Sequence, residues 1–247
     1  MNIYHIAYAP TAKTAHLFFW GCNMSCRGCV LKKEIYDWHM EETIQARLRK
    51  TEGPPQPPQS FLKLEEVMDI LRGLEVAKVI FLGAEATIDP GLPRLAKLLH
   101  EELQTYNILL TNGLELPLLD DIDEVSFSIK AYTDSLHYHY TGTSNQKALQ
   151  NFIAINQKGG IKLRAESVLI PGYIDCPEVE KIAQFIAGAD RNITYRVDGY
   201  IPVSDNPWRR PTPQEIEKAA SIARRHLLNV SCLTGHEDLK YEVLRVF

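Results

Sequence analysis

The sequence of 247 residues contains no long apolar run and no excess of basic residues. A membrane-spanning helix needs about 18 or more consecutive apolar residues, so we do not expect the chain to enter a membrane. Residues 1–6 also lack the charged and apolar blocks of a secretory signal peptide, which predicts a cytoplasmic protein. The net charge of −4 argues against nucleic acid as a partner.

Cysteine is scarce, and its distribution is uneven. Three of the five cysteines, Cys22, Cys26 and Cys29, lie within eight residues of the chain. So few cysteines do not provide the disulfide framework of a secreted protein, and they suit a reducing compartment. Cys176 and Cys232 stand apart, and we expect both to be ordinary thiols.

The C-x3-C-x2-C spacing of the clustered cysteines favours a metal centre, because thiolates on a short irregular loop can converge. Random placement would give this spacing in roughly two sequences per thousand. Zinc usually takes four closed ligands, so a zinc site would need a distant histidine. A 4Fe-4S cluster normally takes four cysteines, so three would leave one iron open to a substrate or cofactor. Unpaired core cysteines are a third alternative.

Strands and helices alternate along the chain from Thr14 onward. Apolar runs of strand type occupy six segments, which are 14–20, 77–82, 108–110, 125–129, 163–170 and 193–197. Helical apolar spacing follows most of them; Leu64, Val67 and Leu71, for example, fall on one helix face. About six βα units predict an α/β fold whose parallel sheet curls into a partial (βα)6 TIM-like barrel.

The sequence shows no domain boundary. Residues 51–60 are rich in proline and are predicted to form an exposed loop, because neither flanking part could fold alone. We therefore expect one domain over residues 1–247, with a C-terminal extension over about residues 229–247.

Polar residues follow several predicted strands at their carboxyl ends. The cysteine loop follows the first strand, and residues 202–210 follow the sixth. Five further candidates follow the second, third and fourth strands: Glu85, Thr111, Asn112, Ser128 and Lys130. Barrels of this kind carry their chemistry at the carboxyl ends of the strands, so we expect these groups to converge on one mouth.

The cysteine spacing resembles that of radical S-adenosylmethionine enzymes, in which three cysteines hold a 4Fe-4S cluster and the open iron binds the methionine moiety of the cofactor. Residues 83–87 stand where the family has a Gly-Gly-Glu motif. The resemblance implies that Gly83 approaches the cofactor and that Glu85 holds its amino group. Alternatively, Glu85 caps the following helix or is a solvated loop acid. Gly28 replaces a residue that is often aromatic, which predicts a thinner cover over the cluster.

The resemblance narrows to the branch of the pyruvate formate-lyase activating enzyme and covers roughly residues 14–210. It rests on the segments Ser128-Ile129-Lys130, Tyr140 to Asn145, Leu163-Arg164 and Ile170-Pro171-Gly172. The branch implies that Lys130 binds the methionine carboxylate and the ribose and that Arg164 lies at the cofactor. The residues alone leave two alternatives: Lys130 as a strand-end lysine that reaches solvent, and Arg164 as an ion-pair partner inside the barrel.

Some positions depart from the branch. A cation-binding aspartate is Leu110 here, the ribose-binding aspartate aligns with Ser128, and a histidine near the cofactor aligns with Ile201. Residues 9–13 replace a segment that contains glycine and arginine. No side chain is assigned a catalytic role, and the expected cofactor contacts are Gly83, Glu85, Thr111, Asn112, Ser128, Lys130, Arg164 and Ile201.

The resemblance implies an oxygen-sensitive enzyme that contains a 4Fe-4S cluster and S-adenosylmethionine. A one-electron donor similar to flavodoxin or ferredoxin would reduce the cluster, and cofactor cleavage would give a 5′-deoxyadenosyl radical that abstracts hydrogen from a substrate. The substrate is either a glycine of a partner enzyme, or another peptide or a small metabolite. The alternative of another class is a non-catalytic iron-sulfur electron-transfer module, which predicts a fourth cysteine ligand.

Two further segments carry weaker signals. His137 and His139 have no acidic or cysteine companion at usable spacing, so a surface helix or loop is favoured over a metal pair. Residues 205–210 either grip an anionic or peptide substrate or pack Trp208 over the barrel rim.

Overall fold

The computed structural model describes residues 1–46, 55–203, 206–234, 237 and 241–247. Within them, one mixed sheet contains β1 (Ile3–Ala9), β2 (Thr14–Phe19), β3 (Lys78–Gly83), β4 (Tyr106–Thr111), β5 (Glu124–Ser128), β6 (Lys162–Leu169), β7 (Thr194–Gly199), β8 (Val230–Leu233) and β9 (Leu244–Arg245). Their order across the sheet is β8-β7-β6-β5-β4-β3-β2-β1-β9.

The strands from β2 to β8 are parallel and lie side by side in chain order. Because every crossover advances the sheet by one strand in the same direction, these strands form the wall of a partial barrel. The six predicted strands are present as β2 to β7, and the predicted fold class is confirmed. Their carboxyl ends lie at one edge, which is the mouth of the barrel.

Three strands are absent from the sequence prediction. β1 pairs antiparallel with β2, β9 pairs antiparallel with β1, and β8 pairs parallel with β7. β1 is buried along its whole length and so lacks the alternation typical of a half-exposed strand. β9 has two residues and depends on its pairing with β1. The predicted C-terminal extension therefore contributes strands to both edges of the sheet.

Six α-helices lie among the described residues: α1 (Leu64–Arg72), α2 (Leu92–Leu98), α3 (Asp134–Thr141), α4 (Gln146–Lys158), α5 (Cys176–Ala189) and α6 (Pro213–Ala223). All of them except α3 contribute buried apolar side chains to one core with the sheet. α6 begins with a capping box, in which Thr212 accepts from the Glu215 N–H and Glu215 accepts from the Thr212 N–H. α3 lies beside the cysteine loop at the mouth.

Alternate side chains of β6 and β7 point to opposite faces of the sheet. Leu163 and Ala165 of β6, with Tyr195 and Val197 of β7, belong to the core between the sheet and the helices. The residues at 164, 166, 196 and 198 therefore face the inside of the barrel. These four positions are charged, so the inner wall is polar where it approaches the mouth.

The proline-rich segment is described in part. Residues 55–60 belong to no helix, and residues 51–54 fall outside the described residues.

In the described part of the chain, every helix is too short or too polar to cross a membrane.

Candidate metal centre and cofactor site

The three clustered cysteines lie on the irregular loop that follows β2 at the mouth of the barrel. Two backbone hydrogen bonds attach this loop to α3. The Ser25 N–H donates to the Thr141 carbonyl at 2.8 Å, and the Arg27 N–H donates to the Tyr140 carbonyl at 2.9 Å. The loop is thus held through its backbone, which leaves the thiols available to a ligand.

All three cysteines line one cavity of about 370 Å³. Its wall is largely apolar and includes Trp20, Met24, Leu31, Pro55 and Pro57. Cavities of this size with a few convergent polar groups are typical of cofactor sites.

The cysteines line this cavity without meeting at one point. Among the described residues, no three His, Cys, Asp or Glu side chains converge closely enough to hold one metal ion. In a 4Fe-4S cluster each thiolate binds a separate iron atom, so three thiols around one cavity provide three of its four ligands. Cys176 and Cys232 lie elsewhere, on α5 and β8.

The thiols share one electrostatic environment with Lys130. The pKa of Cys26 is raised to about 11, mainly by burial, and the Lys130 ammonium opposes this rise while Cys29 and Cys22 add to it. Burial also raises the pKa of Cys22. Both thiols are therefore protonated at neutral pH in the free protein, so metal binding must release their protons.

Glu85 is buried beyond the carboxyl end of β3, with 1% of its surface exposed. Oε1 accepts from the hydroxyls of Thr87 at 2.6 Å and Thr111 at 2.7 Å. Oε2 accepts from the backbone N–H of Asn112 at 2.8 Å. The Thr87 N–H donates to Oε1 at 3.3 Å, so Glu85 also caps the following turn, as the alternative interpretation holds. The carboxylate is fixed in orientation, and Oε2 has one donor among the described residues.

Gly83 lets β3 end close to β2. Its φ is +103°, and a Cβ atom there would lie 2.6 Å from the carbonyl oxygen of Phe19. Only glycine fits both conditions. The close backbone approach is thus made to the neighbouring strand, and it sets the position of Glu85, whose N–H donates to the Gly21 carbonyl at 3.0 Å.

Lys130 follows β5 and makes no hydrogen bond or ion pair with any described residue. Its positive charge opposes the rise in the pKa of Cys22 and Cys26, so the ammonium group lies near these thiols. Asn112 Nδ2 donates to Asn23 Oδ1 at 2.8 Å and lies 3.7 Å from Cys22 Sγ. The structure therefore brings four predicted site residues to the cysteine loop: Glu85, Thr111, Asn112 and Lys130.

Ser128 belongs to a charged network on the inner wall. Its hydroxyl donates to Glu166 Oε1 at 2.6 Å, and Arg196 donates to Glu166 at 2.8 Å and to Asp198 at 2.7 Å and 2.8 Å. Burial raises the pKa of Asp198 to about 6, although Arg196 opposes the rise.

The sequence analysis missed Glu166, Arg196 and Asp198. A signal was present, because charged residues alternate with apolar ones in two predicted strands. A strand covered by helices on one face places its alternate residues on the other face, here the inside of the barrel.

Arg164 and Ile201 make no described contact with the cysteine loop. Arg164 lies near the start of β6, five residues before its carboxyl end, which corresponds to about 17 Å. Its Nε lies 2.6 Å from Glu124 Oε1, as expected of an ion-pair partner inside the barrel. Ile201 follows β7, lies outside the cysteine cavity and offers no polar side chain. The expectation that these two residues contact the cofactor stays a prediction.

Two tyrosines fill the space beside Gly28. A Cβ atom on Gly28 would lie 2.7 Å from Tyr140 Oη and 2.9 Å from Tyr200 Cε2. Both rings pack in an aromatic cluster with Trp208 and Cys26. The expectation of a thinner cover is therefore wrong, because rings from α3 and from the end of β7 occupy the space that an aromatic residue at position 28 would take.

Trp208 packs over the cysteine loop. This agrees with one of the two interpretations of residues 205–210, in which Trp208 packs over the barrel rim. Its ring stacks on Tyr173 with 4.4 Å between centroids and 18° between planes. The Arg27 guanidinium carbon lies 5.4 Å from the Trp208 ring centroid. Residues 204 and 205 fall outside the described residues.

The two histidines of α3 have different environments. His137 is buried, and its Nδ1 lies 2.8 Å from the Thr143 carbonyl oxygen. His139 is exposed and lies 2.7 Å from Arg27 and 2.5 Å from the Tyr173 hydroxyl. The expectation of a surface position is confirmed for His139 and wrong for His137.

The sequence of this chain is similar to that of known proteins. Residues 17–186 match the family model of the radical SAM superfamily. A protein of Methanocaldococcus jannaschii named "Putative glycyl-radical enzyme activating enzyme" is 30% identical to this chain, over 92% of this chain and 83% of its own length.

Solved structures show the same fold. Streptococcus suis SuiB bound to S-adenosylmethionine superimposes with a TM-score of 0.63 at 15% identity, over 85% of this chain and 48% of SuiB. This chain thus spans about half the length of SuiB. A domain of pyruvate-formate lyase-activating enzyme from Bacteroides vulgatus superimposes with a TM-score of 0.52 at 16% identity, over 62% of this chain and 97% of that domain.

Proposed function

The chain belongs to the radical S-adenosylmethionine superfamily, and on that premise we propose that it removes a hydrogen atom from a backbone glycine of a partner enzyme. The observation that carries this proposal is the arrangement of three thiols around one cavity at the mouth of the barrel, beside a buried carboxylate of fixed orientation.

Cys22, Cys26 and Cys29 would hold a 4Fe-4S cluster and leave one iron without a protein ligand. The loop also supplies hydrogen bonds to sulfur, since the Met24 N–H donates to Cys22 Sγ at 3.4 Å. Such donors favour the charged thiolate over the neutral thiol, which supports metal binding despite the raised pKa.

The amino acid part of S-adenosylmethionine carries one ammonium and one carboxylate group. Glu85 Oε2 accepts one protein hydrogen bond, so it retains the capacity to accept another from an ammonium group. Lys130 has no described anionic partner and suits the carboxylate. The site thus offers one negatively charged side chain, Glu85, and one positively charged side chain, Lys130, for the two charged groups of the ligand.

A reduced 4Fe-4S cluster held by Cys22, Cys26 and Cys29 would supply the electron for cleavage of S-adenosylmethionine to methionine and a 5′-deoxyadenosyl radical, which would abstract hydrogen from the substrate. The chain's own contribution is to orient the cofactor and to exclude water and other hydrogen donors. Trp20, Met24 and Leu31 suit that role because they give the cavity an apolar wall.

The glycine substrate is supported by the Methanocaldococcus jannaschii relative, whose name describes an activating enzyme and which aligns with most of this chain. We propose that a flavodoxin- or ferredoxin-like protein delivers the electron. The partner enzyme would have to place its glycine near the cysteine cavity.

The test begins with anaerobic reconstitution with iron and sulfide. We expect about four irons per chain, a change in the electron paramagnetic resonance spectrum of the reduced cluster on addition of S-adenosylmethionine, and formation of 5′-deoxyadenosine. The triple variant Cys22→Ala/Cys26→Ala/Cys29→Ala should lose the iron. The matched control Cys176→Ala/Cys232→Ala should retain it, because these thiols lie elsewhere.

The second stage adds candidate glycyl-radical enzymes and dithionite. A doublet signal of a glycyl radical on the partner, followed by backbone cleavage in air, would support the proposed substrate. Formation of 5′-deoxyadenosine without that signal, with every candidate, would refute the glycine substrate and leave the cofactor chemistry standing. Iron retained by the triple cysteine variant would refute the cofactor site itself.

A further inference from the structure

The Tyr140 hydroxyl is a hydrogen-bond donor at the edge of the cysteine loop. Tyr140 is 4% exposed, and its Oη lies against Gly28, the residue between Cys26 and Cys29 that has no side chain. This hydroxyl makes no hydrogen bond with any described residue. The side chain is largely buried while its hydroxyl oxygen stays accessible, so the O–H can donate to an acceptor that lies beside the loop.

We propose that Tyr140 donates a hydrogen bond to a sulfur atom of the cluster and thereby raises its reduction potential, an inference that rests on the cluster being held as described above. Reduction adds negative charge to a cluster, and donors to its sulfur atoms stabilise that charge. Tyr140 then helps to set how readily the physiological donor reduces this enzyme.

The packing around Tyr140 supports a fixed donor. Its ring lies 5.9 Å from the Trp208 ring and 6.1 Å from the Tyr173 ring, centroid to centroid. Its backbone carbonyl accepts from the Arg27 N–H in the cysteine loop itself. Ring and backbone are therefore both tied to the loop, so the hydroxyl keeps its position when the loop does.

Gly28 is required for this arrangement. A Cβ atom there would approach Tyr140 Oη to 2.7 Å, closer than a nonbonded carbon and oxygen tolerate. A side chain at position 28 would push the hydroxyl away from the cysteines. Because Gly28 has no side chain, the Tyr140 hydroxyl can lie against the cysteine loop.

Tyr200 provides a matched control. Its ring lies as close to the Gly28 position, with Cε2 at 2.9 Å from the same Cβ point. Its hydroxyl, however, accepts from the Val203 N–H at 3.3 Å and from Asn206 Nδ2 at 3.4 Å. Tyr200 therefore packs against the loop with its ring, and two donors from residues 203 and 206 hold its oxygen, whereas Oη is the atom of Tyr140 that lies nearest to the Gly28 position.

The test measures the midpoint potential of the reconstituted cluster in Tyr140→Phe, Tyr200→Phe and the unaltered protein. In Tyr140→Phe, loss of one hydrogen bond to sulfur should lower the ratio of reduced to oxidised cluster about fivefold at a fixed applied potential. This corresponds to a midpoint potential that is lower by about 40 mV for a one-electron couple. Tyr200→Phe should leave the potential unchanged. Equal potentials in all three proteins, or equal shifts in the two variants, would overturn the proposal.

A second substitution covers the case in which Tyr140→Phe does not take up a cluster. Incorporation of 3,5-difluorotyrosine at position 140 keeps the ring and makes the hydroxyl a stronger donor, so the potential should rise. A potential that stays constant or falls would reject the inference. Absence of iron from the unaltered protein would instead be a failure of the proposed cofactor site, which the iron assay reports separately.

Discussion

The Asn112 backbone N–H donates to Glu85 Oε2 at 2.8 Å and joins the carboxyl ends of β3 and β4. The Asn112 side chain continues this connection, since its Nδ2 donates to Asn23 Oδ1 at 2.8 Å in the cysteine loop. The carboxylate and the cysteine loop are therefore linked through one residue. A change at Glu85 should act on ligand binding in the cavity that the loop lines.

Glu85→Gln should reduce the affinity for S-adenosylmethionine about tenfold or more, because a charge-assisted hydrogen bond to the ammonium group becomes a neutral one. Iron content should stay at the level of the unaltered protein. Equilibrium dialysis of the reconstituted protein and an iron assay provide the two measurements.

Glu124→Gln is the control for this prediction. Glu124 is also a buried carboxylate, but it lies at the start of β5, away from the mouth, and pairs with Arg164 and Lys162. Its substitution should leave the cofactor affinity unchanged. Equal losses of affinity in both variants would indicate a general effect of disturbed packing and would contradict the role assigned to Glu85.

Lys130→Met and Arg164→Met separate the two cations that the family resemblance places at the cofactor. Lys130→Met should lower the affinity for S-adenosylmethionine about tenfold, because the carboxylate loses its counter-charge, with little change in stability. Arg164→Met should keep that affinity and lower the free energy of unfolding by about 1–2 kcal/mol, because Glu124 loses an ion-pair partner while Lys162 remains.

Dialysis and urea unfolding monitored by circular dichroism provide these two measurements. A loss of cofactor affinity in Arg164→Met would return Arg164 to the cofactor site, against its position in β6.

The contrast between Lys130 and Arg164 shows how far the sequence predicts the site. Apolar runs in the sequence predict the strands, and in the structure the cysteine loop and Glu85 each come after one of these strands. Arg164 also lies in a predicted strand, but the sequence does not show how high along the barrel wall it lies. Height at the barrel wall is set by pairing with neighbouring strands, and here Arg164 pairs in register with Ser126 and Thr194, below the mouth.

The cover over Gly28 could not be predicted for a related reason. The groups that fill this space, Tyr140 and Tyr200, lie more than 100 residues away along the chain. A local motif shows that position 28 has no side chain. It does not show which residues from distant parts of the chain pack there in the folded protein.

Gly28→Ala should destabilise the protein by about 1–3 kcal/mol, because its methyl group would overlap the Tyr140 hydroxyl and the Tyr200 ring. Thermal unfolding of the metal-free protein measures this without any cofactor. Addition of Tyr140→Phe should recover part of the loss, since it removes the nearest atom.

Gly188→Ala serves as the comparison, because a Cβ at Gly188 in α5 meets no atom within 4 Å. That substitution should be neutral or stabilise the protein by up to about 1 kcal/mol through higher helix propensity. Equal stability of Gly28→Ala and the unaltered protein would contradict the close packing of the two tyrosines.

Acidification should destabilise the fold between about pH 6.5 and pH 4 through His5. Burial lowers the pKa of His5 to about 4, although its hydrogen bond with the Phe247 carbonyl opposes this shift. Nδ1 lies 2.6 Å from that oxygen, and Nε2 is buried with no described partner. As the pH falls below the unfolded pKa of about 6.5, the unfolded chain binds a proton that the folded protein excludes. The free energy of unfolding should drop by up to roughly 3 kcal/mol over this range.

His5→Gln should flatten this part of the profile, as measured by urea unfolding at pH 7, 6, 5 and 4. Some slope should remain, because burial also lowers the pKa of His137. Asp37 affects stability in a lower pH range. Burial alone would raise the pKa of Asp37, but hydrogen bonds from His16 and His39 hold that pKa below its usual value. The stabilisation from the charged Asp37 is therefore lost only below about pH 4. A slope between pH 6.5 and 4 that His5→Gln leaves unchanged would mean that His5 is protonated in the folded protein. The unpartnered Nε2 makes that state costly, because a buried charged N–H would have no acceptor.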